Sequence, residues 1–175
     1  MINEKALVAA MKSEWRDGGY EVVGYGEGNR LWINGNNWCV EMRQSEAPRK
    51  VLALLVEHLG EIPCGSAWAV SKDGGAQSLV VDMMLTRIDT VKNVLMREEE
   101  REIKRTAMKW NGLEVWQTDK LEVLTYDGAE VRIGEGDPVV CGDVLVWNDG
   151  GVVAVHPVEA MLPELRELLE QTVLG

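Results

Sequence analysis

Phenylalanine is absent from the 175 residues, histidine occurs twice and cysteine three times. Without Phe, the 7 Trp and 8 Met residues have to fill the core volume. Cys39, Cys64 and Cys141 are odd in number and widely spaced, in a chain long enough to fold without covalent staples. That is the pattern of a reduced cytoplasmic protein. Neither they nor His58 and His156 form the short-spaced cluster of a structural zinc site, so no metal is expected. No apolar run is longer than the six residues of Val51 to Val56, far short of the roughly 20 that cross a bilayer. The N-terminal MINEKALVAAM carries Glu4 and Lys5 and has no secretory core, so neither export nor a membrane partner is expected.

Basic residues are also scarce. There are 18 Lys and Arg against 29 Asp and Glu, a formal charge of −11. Lys and Arg occur at most in pairs, such as Arg49-Lys50 and Lys104-Arg105, so no basic stripe offers a phosphate-binding surface. Direct nucleic-acid binding is therefore not expected. Residues 1 to 100 carry a net −4 and residues 101 to 175 a net −7.

The remaining pattern is that of an α+β protein. Asn3 caps a helix over roughly 4 to 16, in which Leu7, Ala10, Met11 and Trp15 recur at helical spacing. Strand-like stretches follow at 20 to 25, 30 to 34 and 38 to 43, the last two joined by the Asn34-Gly35-Asn36 turn. Ser45 is the expected cap of a second helix carrying Val51, Leu52, Leu55, Val56 and Leu59 and stopped by Gly60. A hairpin is expected from Ser66 to Met84 around Lys72-Asp73-Gly74-Gly75, and a helix over 86 to 105. Six further strands are expected at 106 to 110, 113 to 117, 121 to 126, 129 to 133, 143 to 147 and 152 to 156, before a closing helix from Met161 to Val173. The change from alternating elements to a run of strands places a boundary near residues 98 to 102. Residues 1–100 then form an α-βββ-α-ββ-α domain, and residues 101–175 a small, mostly antiparallel β domain closed by a helix. Trp32, Trp110 and Trp147 each precede a tight turn, but the intervals differ, and hairpin chemistry alone accounts for the likeness.

The last 70 or so residues resemble a small domain of phage and prophage proteins. The matching residues are Arg105, Ala107-Met108-Lys109-Trp110-Asn111-Gly112, Cys141-Gly142-Asp143-Val144-Leu145-Val146, Gly151 to Val155 and Pro157. The departures are Ala160 and Met161 or Leu162, where that family has aromatics. The resemblance implies a mobile-element origin and a β-rich fold, with no activity to transfer. In element order alone, the first half is similar to the type III secretion chaperones, which implies a polypeptide partner and a homodimer. Cys64-Gly65-Ser66-Ala67-Trp68 is similar to the papain signature, but Ala67 holds the nucleophile position and Gly18 that of the base, so no catalytic residue follows from it.

Three groups have the residue types of a reactive site. His58, with Glu57 beside it and Cys64 six residues on, would make a thiolate-imidazole pair, but it lies off the helix stripe and reads as a boundary histidine. Cys141, Asp143 and His156 are brought together by local strand pairing only in one register. Gly134-Glu135-Gly136-Asp137-Pro138 offers oxygens without the spacing of a calcium loop. No residue is assigned as catalytic, cofactor-binding or metal-binding, and no cofactor is expected. The expected function is that of a non-enzymatic protein that binds another macromolecule. Two alternatives are a nucleic-acid mimic and a cysteine hydrolase. The mimic rests on nine acids between Glu114 and Asp149 opposed only by Lys120 and Arg132, and the hydrolase on Cys141, Asp143 and His156.

Overall fold

Asn3 Oδ1 accepts from the Ala6 amide at 3.0 Å and starts α1 (Glu4–Arg16), as the local chemistry predicts. In this computed structural model, which describes residues 1–159 and 161–175, β1 (Tyr20–Tyr25), β2 (Arg30–Asn34) and β3 (Trp38–Arg43) follow at the expected positions. Ala160, a point of departure from the phage domain, lies outside the described residues. A 3-10 turn (Gln44–Glu46) leads into α2 (Arg49–Leu59), whose cap is Pro48 rather than Ser45. Pro48 has no amide to leave unpaired, and its carbonyl accepts from Val51 and Leu52. Gly60 ends α2 at φ 80°.

The next elements depart from expectation. After β4 (Ser66–Ser71), β5 covers only Gly75–Leu79, and α3 begins at Val81 and runs to Arg97. Residues 81 to 84 are helical because Met84 and Ile88, four apart, reach the same apolar layer. The charged run after Arg97 is a strand: β6 (Glu100–Trp110) pairs first with a strand at 139–141 and then with β7 (Leu113–Thr118). Sheet pairing overrides the helix preference of its Glu and Arg residues. After β8 (Val123–Tyr126), Asp127 caps a short α4 (Gly128–Val131) where a strand was expected. The ladder place is taken by β9 (Val139–Cys141), followed by β10 (Val144–Asn148), β11 (Val152–Val155) and α5 (Pro163–Leu169), with Pro163 in its first turn.

The eleven strands among the described residues form one antiparallel sheet in the order β5-β4-β1-β2-β3-β11-β10-β9-β6-β7-β8. With five helices among the described residues, the protein is α+β. The sheet runs through the boundary expected near residue 100, because β3 pairs with β11, and so it does not show two separate domains. The side chains alternate accordingly. Val22, Leu31, Ile33, Val40, Leu145, Val153 and Val155 face α1 and α2, while Val23, Trp32, Cys39, Val144, Val146 and Ala154 share a layer with Met84 and Ile88 of α3. Trp32 and Trp147 are both core residues. No described helix is long and apolar enough to cross a membrane.

At Gly24 on β1 an added Cβ would lie 1.9 Å from the Pro63 carbonyl oxygen. Backbone cannot yield there as a flexible side chain would. Gly24→Ala is expected to lower stability by about 2 to 4 kcal/mol in urea unfolding, whereas Gly26→Ala, with open space around it but a positive φ, should cost less.

Candidate functional site

The reactive side chains singled out in the sequence are held apart or turned to structural use. His58 Nδ1 lies 2.8 Å from the Tyr20 hydroxyl, and its ring stacks on Trp15 at 4.5 Å. Burial lowers the His58 pKa, assisted by Lys12 and opposed by Glu57. Cys64 is exposed, and its amide donates to Ser66 Oγ. Cys141 is buried, and burial together with Glu100 and Glu98 pushes its thiol up, against thiolate formation. Asp143 and His156 are exposed; the Asp143 carbonyl accepts from the Tyr126 hydroxyl at 2.6 Å, and the His156 amide donates to Asn37. Among the described residues no hydrogen bond joins Cys141, Asp143 and His156, and no three His, Cys, Asp or Glu side chains gather as a metal set. The Gly134–Pro138 loop packs on Trp147, whose indole donates to the Gly136 carbonyl at 2.9 Å.

Sequence reasoning missed a buried charge cluster. Glu41 sits on β3 with only 3% of its surface exposed, on the side facing α3. Its Oε2 accepts from the Tyr25 hydroxyl and pairs with Lys92 of α3, while Oε1 accepts from Arg30 Nε at 3.1 Å. Burial raises the carboxyl pKa, but the donors and charges of Lys92, Tyr25 and Arg30 outweigh it and hold the group ionised. Burial also pushes the neighbouring Cys39 thiol up to about 12, with Glu41 adding to it. Three donors take both oxygens of the buried carboxylate, and the Lys92 pair fastens α3 to the sheet. The visible signal was a lone acid among the apolar Trp38, Cys39, Val40 and Met42.

A cleft of about 660 Å³ opens beside β6. β9 covers one edge of β6 from Glu100 to Glu102 and stops, because Pro138 has no amide to continue the ladder. From Ile103 onward β6 pairs with β7 on its other edge, and the next backbone group to meet the vacated edge is Gly175, whose carbonyl accepts from Ala107. Among the described residues, the stretch from Ile103 to Thr106 thus presents a strand edge without a ladder partner. Trp116 and Trp147 line the cleft, with the cations Lys104, Arg105 and Arg132 and the acids Glu102 and Asp137 around them. Lys104 pairs with Glu102 at 3.1 Å and Arg105 with Glu114 at 3.5 Å, both pairs largely in solvent on the basic side. Such pairs are weak and exchange readily.

A second cavity, of about 410 Å³, lies where α1 meets α4, lined by Ala6, Ala10, Trp38 and Glu130. Glu130 Oε2 is buried without a hydrogen-bond partner. Burial, then the charges of Asp127 and Glu14, raise its pKa to about 7.

No protein-family model, no curated protein and no solved structure matches the chain. The likeness of the C-terminal residues to the phage domain, and that of the first half to secretion chaperones, rest on the residues and element order quoted for them.

The Glu130 shift fixes a pH dependence. The unfolded carboxyl ionises near 4.5 and the folded one near 7, so the folded state holds the proton longer. The contribution of this carboxyl is then undiminished below pH 4.5, falls through the window up to 7, and is flat above it. Glu130→Gln should remove that fall, leaving the variant more stable than the wild type by about 1 kcal/mol above pH 7 after solvent screening. Urea unfolding of both proteins across this pH range measures the difference.

Proposed function

We propose that this chain is a non-enzymatic binding protein whose partner is a polypeptide, taken up as an extended segment along the free edge of β6. The observation that carries the reading is the cleft beside Ile103 to Thr106, where no described residue takes the ladder place left by β9 over the length of a short strand. An extended peptide there would gain main-chain hydrogen bonds from the edge and set alternate side chains toward Trp147 and Trp116. Lys104, Arg105 and Arg132 favour acidic side chains on that peptide. The overall charge of −11 slows approach of such a partner, so affinity has to come from contacts inside the cleft rather than from long-range steering.

The nucleic-acid mimic draws less support. Of its nine acids, Glu114 takes the Trp116 indole and Arg105, Glu122 pairs with Arg101, Asp127 caps α4 and Glu130 is half-buried. The first three carboxylates serve the fold, and the fourth is turned inward, away from a docking surface. Three free cysteines agree with a reducing, cytoplasmic setting for the same proposal.

Selection of extended peptides against the full chain, followed by hydrogen exchange of the complex, tests the reading. Bound peptide should slow exchange of the Ile103 and Arg105 amides, which alternate away from β7 toward the cleft, and Arg132→Glu should weaken binding at least about tenfold. Peptides that bind without protecting those amides would refute it. So would turnover of an ester or peptide substrate that is lost in Cys141→Ala or His156→Ala.

A further inference from the structure

The two rims of the sheet are treated differently by the chain. At the β8 rim the outer edge is occupied: the Val158 amide donates to the Thr125 carbonyl at 3.2 Å, the Thr125 hydroxyl donates to the Glu159 carbonyl, and Glu170 Oε1 accepts from the Val123 amide at 2.9 Å. At the other rim β5 gives its inner edge to β4, and among the described residues nothing bonds to its outer edge. Sheet edges are usually blunted by Lys, Pro or a bulge, because an open row of amides and carbonyls recruits another strand. β5 has none of these. From Gly74 through Val81 the sequence GGAQSLVV has no charged residue, in a chain that is 27% charged. Val80 and Met83 stand beside this edge at 61% and 66% exposure, where α3 leaves the rim.

We infer that β5 is the contact through which two copies of this chain join, edge to edge, into one sheet across a two-fold axis. Symmetry makes such a pair antiparallel and sets each residue opposite its counterpart in the same segment. Centred on Gln77, it places Ala76 against Ser78 and the two Gln77 side chains against each other. A charged residue near the axis would meet its own like charge, so the neutral stretch is what self-pairing requires. Val80 and Met83 add apolar area on the α3 side. The filled β8 rim sets the stoichiometry: with one open rim per chain, pairing stops at two and does not propagate into a fibre. The β6 cleft, lined on one side by Gly134, Gly136, Asp137 and Pro138, belongs to the proposed peptide site and takes no part in this contact.

Sedimentation equilibrium of the full chain at about 100 µM is expected to give twice the 19.5 kDa chain mass. Gln77→Lys, which sets two ammonium groups on the axis, should raise the dimer dissociation constant at least about tenfold without altering the circular dichroism. Directly opposed antiparallel residues have Cα atoms about 5 Å apart, within disulfide reach. Gln77→Cys in a Cys64→Ser background should therefore cross-link on mild oxidation, whereas Asp149→Cys should not. A monomer at that concentration overturns the inference, as does a dimer that tolerates Gln77→Lys or that fails to cross-link through position 77.

Discussion

The pairing of β3 with β11 is the contact on which the architecture turns. Trp38 to Glu41 meet Val152 to Val155 across more than a hundred residues of intervening chain, and closing a loop of that length costs entropy before any contact repays it. Burial on both faces repays it. Val40, Val153 and Val155 lie in the layer under α1 and α2, Cys39 and Ala154 in the layer under α3, and all five are nearly inaccessible. At the end of the junction Gly151 passes so close that an added Cβ would lie 2.6 Å from the Glu41 carbonyl. Once β11 is seated, β10, β9 and β6 follow in ladder order, and the later strands extend the sheet that the first three began.

Glu41 links this junction to the helix above it. Its backbone belongs to the β3–β11 pairing, and its carboxylate is held by Lys92 of α3, Arg30 of β2 and Tyr25 of β1. A buried carboxylate with this many partners is costly to leave half-satisfied, so the cluster specifies where α3 lies more than it adds net stability. At the rim, no described residue bonds to the outer edge of β5. The Pro138 stop in β9 leaves part of β6 bare in the interior of the sheet. The surface features proposed for binding are thus consequences of how the sheet was assembled, not additions to it.

Local chemistry made the first half legible. Asn3 as a cap, the Asn34-Gly35-Asn36 turn, Gly60 as a helix stop and the first three strand stretches each rest on chemistry within a few residues, and each stands where the sequence places it. The errors arose where distant partners decide. Glu98 to Arg105 has helix-forming side chains, yet β9 and β7 draw most of it into a strand; residues 129 to 131 look like a strand, yet the Asp127 cap and the packing of Val131 make a helical turn. The single sheet was hidden for the same reason, since no local pattern announces that residue 40 will pair with residue 153. The β6 cleft is assembled from segments some thirty residues apart, so only the tertiary structure shows it. The Glu41 cluster was half-visible, as an acid at a core position without a sign of its partners.

Native-state hydrogen exchange under increasing urea tests the shared sheet most directly. The account predicts that amides of β1 and β2 and those of β10 and β11 exchange through one global opening, with the same free energy and the same denaturant slope, because neither half keeps its core without the other. Two distinct openings, with the strands before residue 100 protected after those beyond it have unfolded, would contradict it.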